Sequence, residues 1–190
     1  MASWARITSL SIDVKPILRR IKPEKRLKPL THGATGSTGP VSPTVSVLLD
    51  TNIYIRDAAG TLPSWATAIL DQGHLFHCSI CAGELMMGVG NLSPASRKWR
   101  ATRDHYADLI RTIPASRLLT PDEDIWVEAG LVAGVLARTQ GFQPHQRKEC
   151  LNDALIFLTA VKSGLPILTA DGRDFDLIRQ VCGRGHYIAI

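Results

Sequence analysis

The most constraining feature of this chain is a pattern that occurs twice: a short run of mostly branched apolar residues that stops on an acid. VSVLLDTN (residues 45–52) ends its run at Asp50, and PILTADGRD (166–174) reaches Asp171. Apolar runs of this length without polar alternation are strands covered on both faces, the condition of a parallel sheet. Val45–Leu49 and Pro166–Thr169 are therefore read as strands, joined by His74–Ser79, Arg117–Leu119 and His186–Ile190. Between them, helical patterning covers Ser64–Asp71, Ile80–Val89, Ser96–Thr112, Pro121–Thr139, Leu151–Ser163 and Phe175–Val181. Such alternation predicts an α/β domain in three layers, a central parallel sheet of about five strands flanked by helices. An acid just past a parallel strand lies on the carboxyl edge, where open α/β sheets bind their ligands. Asp50, followed by Thr51 and Asn52, could equally cap the helix that follows it.

With 190 residues, 45% of them hydrophobic, the chain can bury one substantial core and still carry an appendage. Its net charge of +5 is unevenly spread: residues 1–44 hold eight bases and two acids, the remainder fourteen bases and fifteen acids. HGATGSTGPVSP (32–43) has the composition of a flexible linker. The expected organisation is a flexible basic extension over 1–43 and a folded domain over 44–190. A basic tail suits nucleic acid, an acidic protein or an anionic membrane surface, and does not choose among them. Cys78, Cys81, Cys150 and Cys182 are too few and scattered for a disulfide framework, so buried free thiols in a reducing cytoplasm are expected. No apolar run reaches the length of a membrane span, and no membrane association is expected.

Three further acids stand in surroundings that do not suit a wet surface. Glu84, in CAGELMMGVG, is the only Asp, Glu, Lys or Arg from Gln72 to Ser96. Asn152 and Asp153 open the apolar stretch LNDALIFL, where an acid could favour a helix start through capping and the helix dipole. Asp174 lies three residues beyond Asp171. Each acid has a structural explanation alone. In the proposed architecture, however, all of them fall on one edge of the sheet. Carboxylates gathered there repel one another and raise one another's pKa unless a cation offsets them. Oxygen ligands alone suit Mg²⁺ or Mn²⁺, whereas zinc prefers His or Cys. Such sites serve phosphodiester hydrolysis, in which the metal activates water and offsets charge in the transition state.

The ordered set Asp50-Thr51-Asn52, Glu84 with Leu85 and Gly88, Asn152-Asp153-Ala154-Leu155-Ile156, and Leu168-Thr169-Ala170-Asp171-Gly172-Arg173-Asp174-Phe175 resembles a PIN domain. More narrowly it resembles the VapC-like ribonuclease toxins of bacterial toxin–antitoxin pairs, over roughly residues 45–190. The resemblance implies a PIN-like fold and a Mg²⁺ or Mn²⁺ site built from Asp50, Glu84, Asp153 and a fourth acid. Asp171 ranks first for that place and Asp174 second. It also implies cleavage of single-stranded or looped RNA, dimerisation or a toxin–antitoxin hetero-oligomer, and inhibition by a cognate antitoxin. Thr51, Asn52 and Thr169 would orient carboxylates or waters. For RNA contact, residues 96–111 interleave Arg97, Lys98, Arg100 and Arg103 with Trp99 and Tyr106, a pattern that suits a single-stranded backbone or a solvated helix face. Arg147 and Lys148 are a second candidate. Two other readings stand beside the nuclease: a catalytically inactive PIN-like binding module, and a haloacid-dehalogenase-type phosphatase using Asp50 as nucleophile. The phosphatase usually carries a second acid two residues on, where this chain has Asn52.

Overall fold

The computed structural model describes residues 26–30 and 37–190. The expected extension over 1–43 therefore lies largely outside the described residues. Strands and helices alternate in chain order: β1 (Ser37–Thr38), β2 (Ser46–Leu49), α1 (Thr51–Ala58), α2 (Ser64–Gln72), β3 (His74–Cys78), α3 (Ser79–Asn91) and α4 (Trp99–Thr112). After a 3₁₀ turn at Ala115–Arg117 come β4 (Leu118–Leu119), α5 (Glu123–Gln140), α6 (Pro144–Lys162), β5 (Ile167–Thr169), α7 (Gly172–Cys182) and β6 (Tyr187–Ala189). The six strands among the described residues pair in parallel, in the order β1-β6-β5-β2-β3-β4. The five expected strands are present, and β1 adds a two-residue edge beside β6.

The order places the site. From the central strand β2, the chain moves one way to β3 and later returns to build β5 on the other side. The carboxyl ends of β2 and β5 thus flank the switch in strand order, where helices leave in opposite directions and open a crevice. Leu48 stands opposite Ile167, and Leu49 opposite Leu168, so Asp50 and Thr169 emerge side by side.

The core confirms why these runs are continuous. Val47, Leu48, Leu49, Ile167, Leu168 and Thr169 are all buried. Residues Ala154–Ala160 of α6 are buried without interruption, because that helix packs against α5, α7 and the sheet. Full burial of each large side chain, such as Phe157 or Phe175, contributes roughly 1.5–3 kcal/mol. All four cysteines are buried free thiols, as expected. No helix among the described residues is long and apolar enough to cross a membrane.

Local signals set the helix ends. Asp122 caps α5 by accepting from the Ile125 amide at 3.2 Å, and Gly141 ends it with φ +71°. At the start of α6, Gln143 and Gln146 form a reciprocal cap and Pro144 occupies the first turn. That helix therefore begins seven residues before the expected Leu151. The correction matters for Asp153, which is not at a helix start but more than two turns inside one.

Part of the basic extension rests on the domain. Leu27 packs against the core, Gln180 donates to the Lys28 carbonyl at 2.9 Å, and the Leu30 amide donates to buried Asp176 at 2.7 Å.

Gly185, just before β6, has φ +91°, and a Cβ there would lie 2.6 Å from both Phe157 and Val161. Gly185→Ala is expected to cost about 2–4 kcal/mol through strain and overpacking, lowering Tm on the order of 10 °C. Thermal unfolding followed by circular dichroism checks this, and an unchanged Tm contradicts the packing.

Candidate functional site

Asp50 follows β2 as the N-cap of α1 and is only 4% exposed. Its Oδ1 accepts from the Thr51 amide at 2.7 Å, and its Oδ2 accepts from Asn52 Nδ2 and the Thr169 hydroxyl, each at 2.6 Å. Asn52 is itself fixed across the crevice, its Oδ1 accepting from the Ala170 amide at 2.8 Å. Thr169 Oγ1 also accepts from the Asp171 amide at 2.9 Å. Capping and site chemistry are thus not alternatives at Asp50. Its backbone starts a helix while its carboxylate is clamped between the ends of β2 and β5.

Glu84 lies half-buried in the second turn of α3. Its Oε2 accepts from the Thr51 hydroxyl, and its Oε1 accepts from Asn152 Nδ2 at 2.7 Å. Asp153 follows Asn152 on α6, mostly sheltered, and its carboxylate accepts no hydrogen bond among the described residues. Asp171 is exposed and caps α7 through the Asp174 amide at 3.4 Å. Asp174, one turn further, is half-buried, and its carboxylate likewise accepts no hydrogen bond among the described residues.

The five acids feel one another. Burial pushes Asp50 up to about 6, against the pull of its Thr169 and Thr51 hydrogen bonds, and the charges of Glu84 and Asp171 push it further. Asp153 is held well above the ordinary carboxylate range by burial, then by Asp50, Glu84, Asp174 and Asp171 in turn. Asp174 is raised by burial and by Asp171, against the pull of Arg173. The end of β2, α3, α6 and the start of α7 thus bring carboxylates whose charges bear on one another to one crevice. Asp171 bears on Asp50, and Asp174 bears more strongly than Asp171 on Asp153.

The acids are gathered without being arranged as a cage. Among the described residues, no three side chains of Asp, Glu, His or Cys form a group poised to hold a metal ion. Both Asp50 oxygens and both Glu84 oxygens are turned onto protein donors. The donor chemistry nonetheless suits a hard divalent cation: every available ligand is an oxygen, and the Asp153 carboxylate accepts no hydrogen bond among the described residues.

Asn152 is the functional candidate that sequence reasoning missed. Its amide ties the Glu84 carboxylate to the helix that carries Asp153. No local signal marks it, because the group it holds lies 68 residues away in the chain. The expected RNA-contacting segment fares differently. Arg103 lies 4.7 Å over the Trp99 ring and pairs with Asp104, and Arg111 pairs with Asp108. Arg97, Lys98 and Arg100 are exposed, but no hydrogen bond or ion pair among the described residues joins them to the acids. Arg147 and Lys148 share α6 with Asp153 and lie nearer in the chain to the crevice.

No protein-family model and no curated protein matches the chain. Solved structures do match, all at low identity. FitAcB from Neisseria gonorrhoeae is 23% identical with a TM-score of 0.53, covering 74% of this chain and 96% of that one. FitAB bound to an IR36 DNA fragment is 22% identical, with a TM-score of 0.51 and coverage of 75% and 94%. VapBC2 from Rickettsia felis, bound to a DNA fragment from its promoter, is 16% identical, with a TM-score of 0.51 and coverage of 77% and 100%. The likeness is one of fold. It agrees with the strand order and the carboxyl-edge crevice: the domain has the PIN-like fold.

Raised carboxylate pKa values reverse the usual pH dependence. The folded state holds the Asp50 proton more tightly than the unfolded chain, whose carboxyl titrates near 3.8. The resulting destabilisation is absent below about pH 4, grows as pH rises to about 6, and is fully present above it. It amounts to on the order of 3 kcal/mol for Asp50, with Asp153 adding in the same direction. In chelator, wild type is expected to melt higher at pH 5 than at pH 7.5, with much of that slope lost in Asp50→Asn. Equal pH profiles for the two proteins contradict the electrostatic coupling.

Proposed function

We propose that this chain is a Mg²⁺- or Mn²⁺-dependent endoribonuclease of PIN type, acting in the cytoplasm as the toxin of a toxin–antitoxin pair. The observation that carries the reading is the meeting of Asp50, Glu84 and Asp153, from β2, α3 and α6, in one crevice with Asp171 and Asp174. Supporting it, the FitAB and VapBC neighbours are toxin–antitoxin complexes, which gives a cognate antitoxin and a hetero-oligomer or homodimer as the expected partners.

In this reading Asp50, Glu84 and Asp153 hold the metal, with Asp174 or Asp171 as the fourth acid. When bound, the cation supplies an activated water and offsets charge on the phosphodiester as it reacts. The chain's own residues do the rest. Thr51, Asn52, Thr169 and Asn152 keep Asp50 and Glu84 in fixed orientations, so their oxygens need little reorganisation on loading. Asp171 keeps one oxygen engaged at the start of α7. Asp174, free of such engagement, can share a ligand or proton with Asp153. The phosphatase alternative fits less well. Both Asp50 oxygens are committed to donors, and position 52 supplies an amide where an acid would be needed.

Asp50→Asn or Asp153→Asn is expected to lower metal-dependent cleavage of single-stranded RNA by about 10²–10⁴-fold, the scale of several kcal/mol of lost charge stabilisation. Asn152→Leu or Thr169→Ala should cost roughly 10–100-fold, as loss of orienting partners does. Cleavage assays on purified protein read both. Wild-type rates in Asp50→Asn overturn the assignment of the reaction to this crevice, and absence of cleavage by wild type favours an inactive binding module.

Metal binding also has a readout that does not involve turnover. Mn²⁺ at about a hundred times its Kd should add roughly 2.7 kcal/mol of stability, or some 5–11 °C in Tm, to wild type and not to Asp153→Asn. No Mn²⁺ response in wild type removes the metal from the account.

A further inference from the structure

A cavity of about 220 Å³ opens beside the acids, between the end of α5, the first half of α6 and the first half of α7. Asp153 and Asp174 form part of its wall, so it is continuous with the crevice rather than separate from it. Leu136, Phe142, Leu177 and Ile178 supply the apolar part of its lining. Two polar side chains one helical turn apart on α6, Gln146 and Glu149, stand on the same lining. Gln146 spends its Oε1 on the Gln143 amide in the helix cap, which leaves its NH₂ donor free to face a ligand. Glu149 makes no hydrogen bond or ion pair among the described residues, and its charge adds to the repulsion on Asp174. A carboxylate placed beside an acidic site with no partner works against stability.

We infer that this cavity is a base-reading subsite, in which Phe142 and Leu177 cover the face of one RNA nucleobase while Glu149 and Gln146 bind its edge. The inference rests on the ribonuclease reading, since a base there belongs to the nucleotide flanking the phosphate held at the acids. Size favours a base over a larger ligand. The cavity is below the roughly 300–1,000 Å³ of sites that enclose drug-sized molecules. The lining suits a flat heteroaromatic ring: apolar side chains and an aromatic one for its faces, one acceptor and one donor for its edge. Arg173 sits at the same cavity, at the first turn of α7, and supplies positive charge for the backbone entering an acidic site. A carboxylate accepts from base N–H groups and an amide donates to ring nitrogens or carbonyls, so the pair discriminates bases rather than merely holding RNA. The nuclease should therefore cut with a base preference at one position beside the scissile bond.

The test has two arms. In the first, wild type, Glu149→Gln, Gln146→Ala and Phe142→Leu cut a single-stranded RNA pool randomised around the cleavage position, and the ends are sequenced. Glu149 is exposed, so its substitution leaves the fold intact. It is expected to change the base preference at one position by roughly 5- to 100-fold, the range of one good edge contact, with the same cut chemistry. In the second arm, full-length Asp50→Asn is titrated in Mg²⁺ with labelled A-, C-, G- and U-containing octamers, with and without Glu149→Gln. Binding selectivity that disappears with Glu149→Gln supports the subsite even if wild type cuts nothing, in which case the nuclease reading alone fails. Cleavage with no base preference, or with a preference and binding selectivity unmoved by all three substitutions, overturns the subsite and leaves the nuclease. That result would give the cavity to a protein side chain.

Discussion

Like charges held together under partial burial organise this molecule. Asp50 and Asp153 both pay a desolvation penalty and both face the charges of their neighbours, so each holds its proton to an unusually high pH. A fold does not gain stability from such an arrangement. It persists because the surrounding framework is strong: a parallel sheet buried on both faces, and a helix, α6, buried along seven consecutive residues. Hydrogen bonds from Thr51, Asn52, Asn152 and Thr169 offset part of the penalty and fix where the carboxylates point. Three of these bonds, Thr51 to Glu84, Asn152 to Glu84 and Thr169 to Asp50, join elements far apart in the chain, so the crevice forms only when the whole domain is folded.

The same bonds explain why the acids come together without forming a cage. Asp50 and Glu84 turn their oxygens onto hydroxyl, amide and backbone donors. Asp153, which accepts no such bond, is held well above the ordinary carboxylate range by burial and by its neighbours' charges. The chemistry proposed for the site is then a competition between proton and metal for one set of oxygens.

Much of this was legible in the sequence, and the failures are specific. The runs at 45–49 and 166–169 announced buried parallel strands, and their terminal acids fell where strand order opens a crevice. Glu84 stood out because nothing else near it was charged. Asp153 was harder. Helical patterning alone placed it at a helix start, since the apolar run begins beside it. The Pro144 start with its Gln143–Gln146 cap, seven residues earlier, was a polar signal in a polar stretch. Once α6 is seen to begin there, capping no longer accounts for Asp153. Asn152 could not be assigned from sequence because its partner, Glu84, is 68 residues away. The basic stretch around Arg100 shows the limit of composition: bases interleaved with aromatics became internal pairs, such as Arg103 over Trp99.

The most direct measurement of the central claim is the titration of the individual carboxyl groups by NMR, with and without Mg²⁺. In the metal-free protein the Asp50 carboxyl should titrate near 6 and Asp153 well above the ordinary aspartate range, and Mg²⁺ should pull both down below their free values. Asp50 and Asp153 titrating independently near 4 in both conditions would contradict the account, because the crevice would then hold no coupled acids for a cation to relieve.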